Sequence, residues 1–266
     1  MMGSTHVVSG PVLALAITVP LNVILVANGL PPVTGAEVIP QVASAAGGAM
    51  LPDLDHPSGT AARALGPVTK TLAQIVNKIT GGHRGATHSL LGIAGFTWIS
   101  WKLGQIGGWP YGAWIGFMAA IALSALKWTP IKNPVLNTSL CIGLGVAVTM
   151  YARFIPFNPW PITVGTAIGV AAHILGDMLT VEGCPLFWPL PMRFKFASLT
   201  TGQIGEKMVC AGLWGAWAGL VVYQTGLANL AARLIPRLAP WPAWGIAVAV
   251  AAVVAVPAMV IIKRRG

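Results

Sequence analysis

The chain is short of charge. Only 8% of its 266 residues are Asp, Glu, Lys or Arg, against about a quarter in soluble globular domains, which excludes an ordinary water-soluble fold. Acids are scarcest, six against sixteen Lys and Arg, for a formal net charge of +10. The three cysteines, Cys141, Cys184 and Cys210, form no C-x-x-C pair and are odd in number, so neither a disulfide framework nor a thiolate zinc site is supported. A low-complexity linker and a clear internal repeat are both missing. The N-terminus lacks the basic stretch and cleavage site of a signal peptide, so its apolar segment is expected to be retained within a single domain, 1–266. Apolar residues are what the chain has in excess: 55% hydrophobic, with a mean hydropathy of +0.75. These numbers predict an all-α polytopic membrane helix bundle and exclude a secreted, disordered or fibrous chain.

A bilayer crossing takes about 20 predominantly apolar residues. Segments of that kind lie at 7–30, 88–107, 111–127, 135–155, 161–180, 208–230 and 241–262, predicting seven spans. A further segment, 38–51, is 14 residues long and contains Gly47 and Gly48, so it is expected to be a re-entrant or broken helix. With the N-terminus cytoplasmic and 38–51 returning the chain to that side, Arg63, Lys70, Lys78, Arg84, Lys127, Lys132, Arg193, Lys195, Lys207, Lys263, Arg264 and Arg265 fall inside. Lys102, Arg153, Arg233 and Arg237 fall outside, and Trp109, Trp128, Trp160 and Trp241 sit near span ends. That asymmetry is the positive-inside pattern, so the basic excess reads as topology and not as a nucleic-acid surface. In the longest polar connection, Leu65, Val68, Leu72, Ile75, Val76 and Ile79 recur at helical spacing. This predicts an amphipathic helix, lying on the membrane or packed on its own protein.

The ionisable residues are few and they cluster. In this topology His6, Asp53, Asp55, His56, His83, His88, His173, Asp177, Glu182 and Glu206 all lie at cytoplasmic span ends, and only Glu37 does not. Ionisable groups near a bilayer need partners or a function. Imidazole and carboxylate together bind borderline divalent cations, and this set exceeds the needs of one ion. Small residues accompany it: Gly165, Gly169, His173 and Asp177 follow one another at i+4, as do His6, Gly10 and Ala14, so helices can approach closely there. Each element alone has a plainer reading, H-x-x-x-D as a packed polar pair and D-x-D-H-P as a helix-ending turn.

The ordered motifs are T-H near the start, L-P-D-L-D-H-P, G-H-R-G-A-T-H-S, H-I-L-G-D-M-L-T-x-x-G-x-P and T-G-x-x-x-E. Together they resemble the YdjM-like family of inner-membrane metal-dependent hydrolases, over about His6 to Glu206. The resemblance implies a multi-pass protein of a bacterial or archaeal cytoplasmic membrane, and a more distant similarity to zinc-dependent phospholipase C and P1-type nucleases. It implies metal ligands at His6, Asp53, Asp55, His56, His83, His88, His173 and Asp177. Glu206 would be a further ligand or base, and Arg84, Thr87, Ser89 and Thr180 would be second-sphere or substrate-contacting groups. A pair of spans between Trp101 and Pro161, and the last span, lie outside the family pattern. A label of LexA binding attached to some members rests on no residue here.

The expected function is a phosphoesterase that uses metal-activated water at the cytoplasmic headgroup layer, on a phospholipid or lipid-linked phosphate. Two or more ions are expected, zinc first, with Mn2+ or Mg2+ as alternatives. Asp53, Asp55 or Glu206 would act as base and Arg84 would bind the phosphoryl group. The competing readings are a proton- or cation-coupled transporter and a scaffold with a structural metal site.

Overall fold

A computed structural model of the chain describes residues 1–33, 37–126, 134–154 and 158–225. The expected span 241–262 and the cations Lys127, Lys132, Arg233, Arg237, Lys263, Arg264 and Arg265 lie outside the described residues. Two compact units divide the chain, Met1–Thr201 and Gly202–Gly266. The first holds α1 (Gly3–Ala27), α2 (Val38–Gly48), α3 (Thr60–Arg63), α4 (Pro67–Ile79), α5 (Leu90–Ile106), α6 (Gly108–Leu126), α7 (Pro134–Phe154) and α8 (Pro159–Met178). The second holds α9 (Ile204–Thr225). Among the described residues there is no strand, only the isolated bridges Thr180–Leu199 and Cys184–Phe194. The all-α expectation stands.

By length and composition α6 and α8 can each cross a membrane. α1 is a third candidate if its halves, Gly3–Thr18 and Pro20–Ala27, form one span despite a 59° bend. The bend falls at Pro20, which has no amide to donate and whose ring crowds the preceding turn. Among the described residues there are two or three candidate spans, and the seven that the sequence predicts are not confirmed. α5, at 17 residues, is at the short end of what a crossing takes, and α7 is 21 residues long, with Val135–Met150 an apolar stretch within it.

The short segment is a helix of 11 residues, α2, with Gln41, Ser44, Ala45, Gly47 and Gly48 buried. It is wedged between α1 and α8 and touches α6. Glycines make that wedge fit. A side chain on Gly169 of α8 would strike the Ala45 carbonyl and come within 2.7 Å of the Ala49 amide, and one on Gly10 of α1 would strike the same carbonyl. Where lipid removes the hydrophobic drive between helices, such close backbone approach is what holds them together. The buried Gln41 is met by the Thr18 hydroxyl at 3.1 Å.

The predicted amphipathic helix forms as α4, but its apolar stripe is not its packing face. Thr69 and Ala73 are buried against the protein, while Val68, Leu72, Ile75 and Ile79 point outward. Thr69 donates to the Ala62 carbonyl at 2.8 Å, and Asn77 donates to the Asp55 carbonyl at 2.6 Å.

Candidate metal centre

Four helix ends meet in one layer: the start of α1 with His6, the end of α2 with Ala49, the segment leading into α5 with His83 and His88, and the end of α8 with His173 and Asp177. Between α2 and α3, a 3-10 turn over Pro52–Asp55 supplies the two aspartates. At the opposite ends of α2 and α8, Glu37 accepts a 2.8 Å hydrogen bond from Asn158.

Asp55 organises the group. It is fully buried. Its Oδ1 meets Nδ1 of His83 at 2.8 Å, and its Oδ2 accepts from the Arg84 amide at 3.0 Å, from Nδ1 of His88 at 3.1 Å and from the Thr87 hydroxyl. Burial pushes its carboxyl up, but the hydrogen bonds from His83, His88 and Thr87 outweigh this and hold it well below the usual carboxylate range. The imidazole of His83 is raised in return. Burial lowers it, and the Asp55 hydrogen bond and charge more than compensate. Arg84 can serve Asp55 with its amide because it takes a φ of 59°, a left-handed conformation that costs a non-glycine residue about 1 kcal/mol.

Tautomers follow from these partners. A carboxylate and a carbonyl only accept, so His88 carries its proton on Nδ1 toward Asp55, and His173 carries its proton on Nδ1 toward the Ala49 carbonyl 2.6 Å away. Both Nε2 atoms are then bare, and they face each other at 3.2 Å. Around them stand Asp53 Oδ1, 4.0 and 3.7 Å from Nε2 of His88 and His173, and Asp177 Oδ2, 3.6 and 3.8 Å away. Two facing lone pairs between two carboxylates repel unless a proton or cation lies between them. In a tetrahedral zinc site the ligand atoms are about 3.3 Å apart, given bonds of 2.0–2.1 Å. The donor set fits a divalent ion, and each histidine has the hydrogen-bonded outer nitrogen that metal-bound imidazoles have.

His6 extends the set. Its ring stacks on His173 with centroids 3.7 Å apart, its Nε2 lies 3.2 Å from Asp177 Oδ1, and neither ring nitrogen has a hydrogen-bond partner although both are buried. His6, His173 and Asp177 form a second compatible trio, and Asp55, His83 and His88 a third. His56 lies at the rim, its ring edge-on to His83 at 4.4 Å.

The remaining predicted residues take supporting places. Arg84 is buried, its Nε 2.9 Å from Asp177 Oδ2, its Nη1 donating to the Thr180 hydroxyl at 3.0 Å and the Gly183 carbonyl at 3.2 Å, and lying 3.5 Å from Glu182. It braces the end of α8. Thr180 also donates to the Asp177 carbonyl at 2.7 Å. Ser89 turns away from the cluster and caps α5, accepting from the amides of Leu91 and Gly92, a role its place before a helix could have foretold. Glu206 belongs to the second unit, where it accepts a 2.6 Å hydrogen bond from the Gly202 amide at the start of α9. The Ala49 carbonyl carries no side-chain signal and escaped the sequence reading. So did the Met1 ammonium, 2.5 Å from Asp177 Oδ1. Cys184, near the last motif, is fully buried, and burial pushes its thiol up to about 12.

A family model described as YdjM inner membrane protein matches residues 1–127 and 139–264. Inner membrane protein YdjM of Escherichia coli (strain K12) is 28% identical over 172 residues, 63% of this chain and 61% of that protein, and its Shigella flexneri counterpart matches equally. An uncharacterized protein, YvsG, of Bacillus subtilis (strain 168) is 25% identical over 180 residues, 67% of this chain and 76% of that one. The match therefore spans about three fifths of the length of the first two relatives. No solved structure matches. With its helical architecture, apolar candidate spans and buried His/Asp groups able to hold a metal, the chain is a membrane protein of the YdjM family.

Proposed function

We propose that the chain is a membrane-bound metal-dependent hydrolase acting on a phosphoester, a phospholipid or a lipid-linked phosphate, at the cytoplasmic face of a bacterial inner membrane that it crosses several times. One observation carries the reading: the bare Nε2 atoms of His88 and His173 facing each other at 3.2 Å between Asp53 and Asp177. These four residues would hold the first ion, with His6 beside them and His83 and His56 near a second. Imidazole mixed with carboxylate suits zinc or manganese. A divalent ion there lowers the pKa of water and offsets charge on a phosphoryl group. The protein's own part is to fix that ion. Asp55 and the Ala49 carbonyl lock the two imidazoles, and Arg84 and Thr180 hold Asp177. Asp53, 16% exposed, is the most accessible of the four and would take a proton from an attacking water only where it is not itself a ligand. Glu206 remains a candidate base on sequence grounds.

Elemental analysis of the purified protein, with phosphodiester and phosphomonoester assays, tests this. The His173→Ala/Asp177→Ala double variant is expected to lose both bound metal and turnover. A parent protein without stoichiometric metal, or unchanged turnover in the variant, overturns the proposal.

A further inference from the structure

The stripe of α4 sets the problem. Val68, Leu72, Ile75 and Ile79, spaced 4, 3 and 4, lie on one line of the helix and are 71, 38, 54 and 71% exposed. A helix that merely caps its own protein turns its apolar side inward. α4 does the reverse, packing through the small Thr69 and Ala73. Water is a poor neighbour for four branched aliphatics in a row.

A second element repeats the pattern beside it. The connection from α8 to α9 is fastened to the metal-centre segment: Leu90 donates to the Leu186 carbonyl at 3.0 Å, Arg84 holds Gly183, and Cys184 and Phe194 exchange backbone hydrogen bonds of 3.0 and 2.9 Å. From that anchored base Leu190, Met192 and Phe196 stand outward, 55, 54 and 72% exposed. Both elements therefore flank the 80–89 segment that carries His83 and His88.

Charge selects the occupant. Lys70 and Lys78 are exposed on α4, and Arg193 and Lys195 on the connection, while no Asp or Glu occurs anywhere between Asp55 and Asp177. Exposed apolar side chains beside four exposed cations, with Glu182 the one acid on the connection between α8 and Gly202, match the acyl–headgroup boundary of an anionic leaflet. We infer that α4 and the 186–196 connection form an interfacial collar that seats the rim of the metal centre in a layer of anionic phospholipid headgroups. The inference stands whatever the cluster catalyses.

The test is depth. In the full-length protein, Leu72→Cys, Ile75→Cys, Phe196→Cys and the control Gln74→Cys are labelled with an environment-sensitive fluorophore. Each is reconstituted in phosphatidylcholine vesicles with or without phosphatidylglycerol. Lipids carrying a spin label on the acyl chain are expected to quench positions 72, 75 and 196 about twofold or more and to leave position 74 nearly unchanged. Quenching should be stronger with phosphatidylglycerol and weaken with salt. Labels at 72 and 75 that aqueous iodide quenches as it does position 74 overturn the proposal. So do labels that neither quencher reaches, which would mean that another part of the chain or a second copy covers the stripe. Equal lipid quenching in both vesicles overturns the anionic preference.

Discussion

Replacing Asp55 by Asn keeps the shape of the side chain and removes its charge, and the consequences can be followed donor by donor. Three donors converge on Oδ2 and one on Oδ1. Asparagine has one carbonyl oxygen. If that oxygen takes the place of Oδ2, its amide nitrogen faces His83, which must present a lone pair at Nδ1 and move its proton to Nε2. Bonds to a charged acceptor contribute about 1.5–3 kcal/mol and neutral ones about 1 kcal/mol, so the four together lose about 3 kcal/mol of stability. Loosening His88 in this way should also weaken metal binding by about 10–100-fold, as loss of an orienting partner does elsewhere. Asp53→Asn is the contrast. Asp53 stands 4.0 and 3.7 Å from the Nε2 atoms of His88 and His173. Its neutralisation should therefore leave the metal-free fold within about 1 kcal/mol of the parent while weakening metal binding further. Thermal melting in detergent with and without Zn2+ or Mn2+, combined with chelator competition, reads both quantities. Parental metal affinity in Asp55→Asn, or an Asp53→Asn protein that melts like Asp55→Asn without metal, would refute the division between a positioning and a ligating carboxylate.

Arg84→Gln strands Asp177 without its guanidinium and should cost on the order of 3 kcal/mol, measured by the same melting curves; a parental melting temperature would contradict the bracing role. Gly169→Val drives a side chain into the Ala45 carbonyl, so it should destabilise by about 1–3 kcal/mol and loosen His173 through Ala49, lowering metal stoichiometry in elemental analysis. Cys184, its thiol pushed up to about 12 by burial, should resist maleimide at about pH 8 in the folded protein and react after denaturation, as followed by mass spectrometry. Stability from Asp55 is fully present above the ordinary carboxylate range and is lost progressively as pH falls from that range toward the lowered folded-state value, because the folded state holds the carboxylate ionised. A major unfolding step between about pH 5 and pH 4 in Asp55→Asn but not in the parent is therefore not expected, and observing it would assign acid sensitivity to another group.

Much of this site was legible because helical periodicity is simple. Gly165, Gly169, His173 and Asp177 had to share a stripe once 161–180 was read as a helix, and the stripe does lie along α2. The 14-residue segment was too short for an ordinary span, and it forms an 11-residue helix, α2. Other features were beyond reach. Asp53 and Asp55 look alike in L-P-D-L-D-H-P, and only the 3-10 turn separates one that faces the histidine pair from one that faces Thr87 and the Arg84 amide. Backbone groups such as the Ala49 carbonyl leave no mark in a side-chain pattern. Periodicity located the apolar line of α4 without telling which way it faces, since Thr69 and Ala73 pack as well as aliphatics do. The span count is left unconfirmed, because 241–262 lies outside the described residues and the run 88–107 includes the non-helical approach to α5.

The crowding of three carboxylates at the cluster has an effect on the order of events there. α2 and α8 end among the histidines and α1 and α5 begin there, so the partial charges of their termini offset one another. What remains is Asp53, Asp55 and Asp177 set against Arg84, a well of negative potential. An anion approaching that well is repelled until something positive has filled it. On the proposed hydrolase reading, loading is then ordered, cation before phosphate, and a phosphate analogue offered alone should find no foothold.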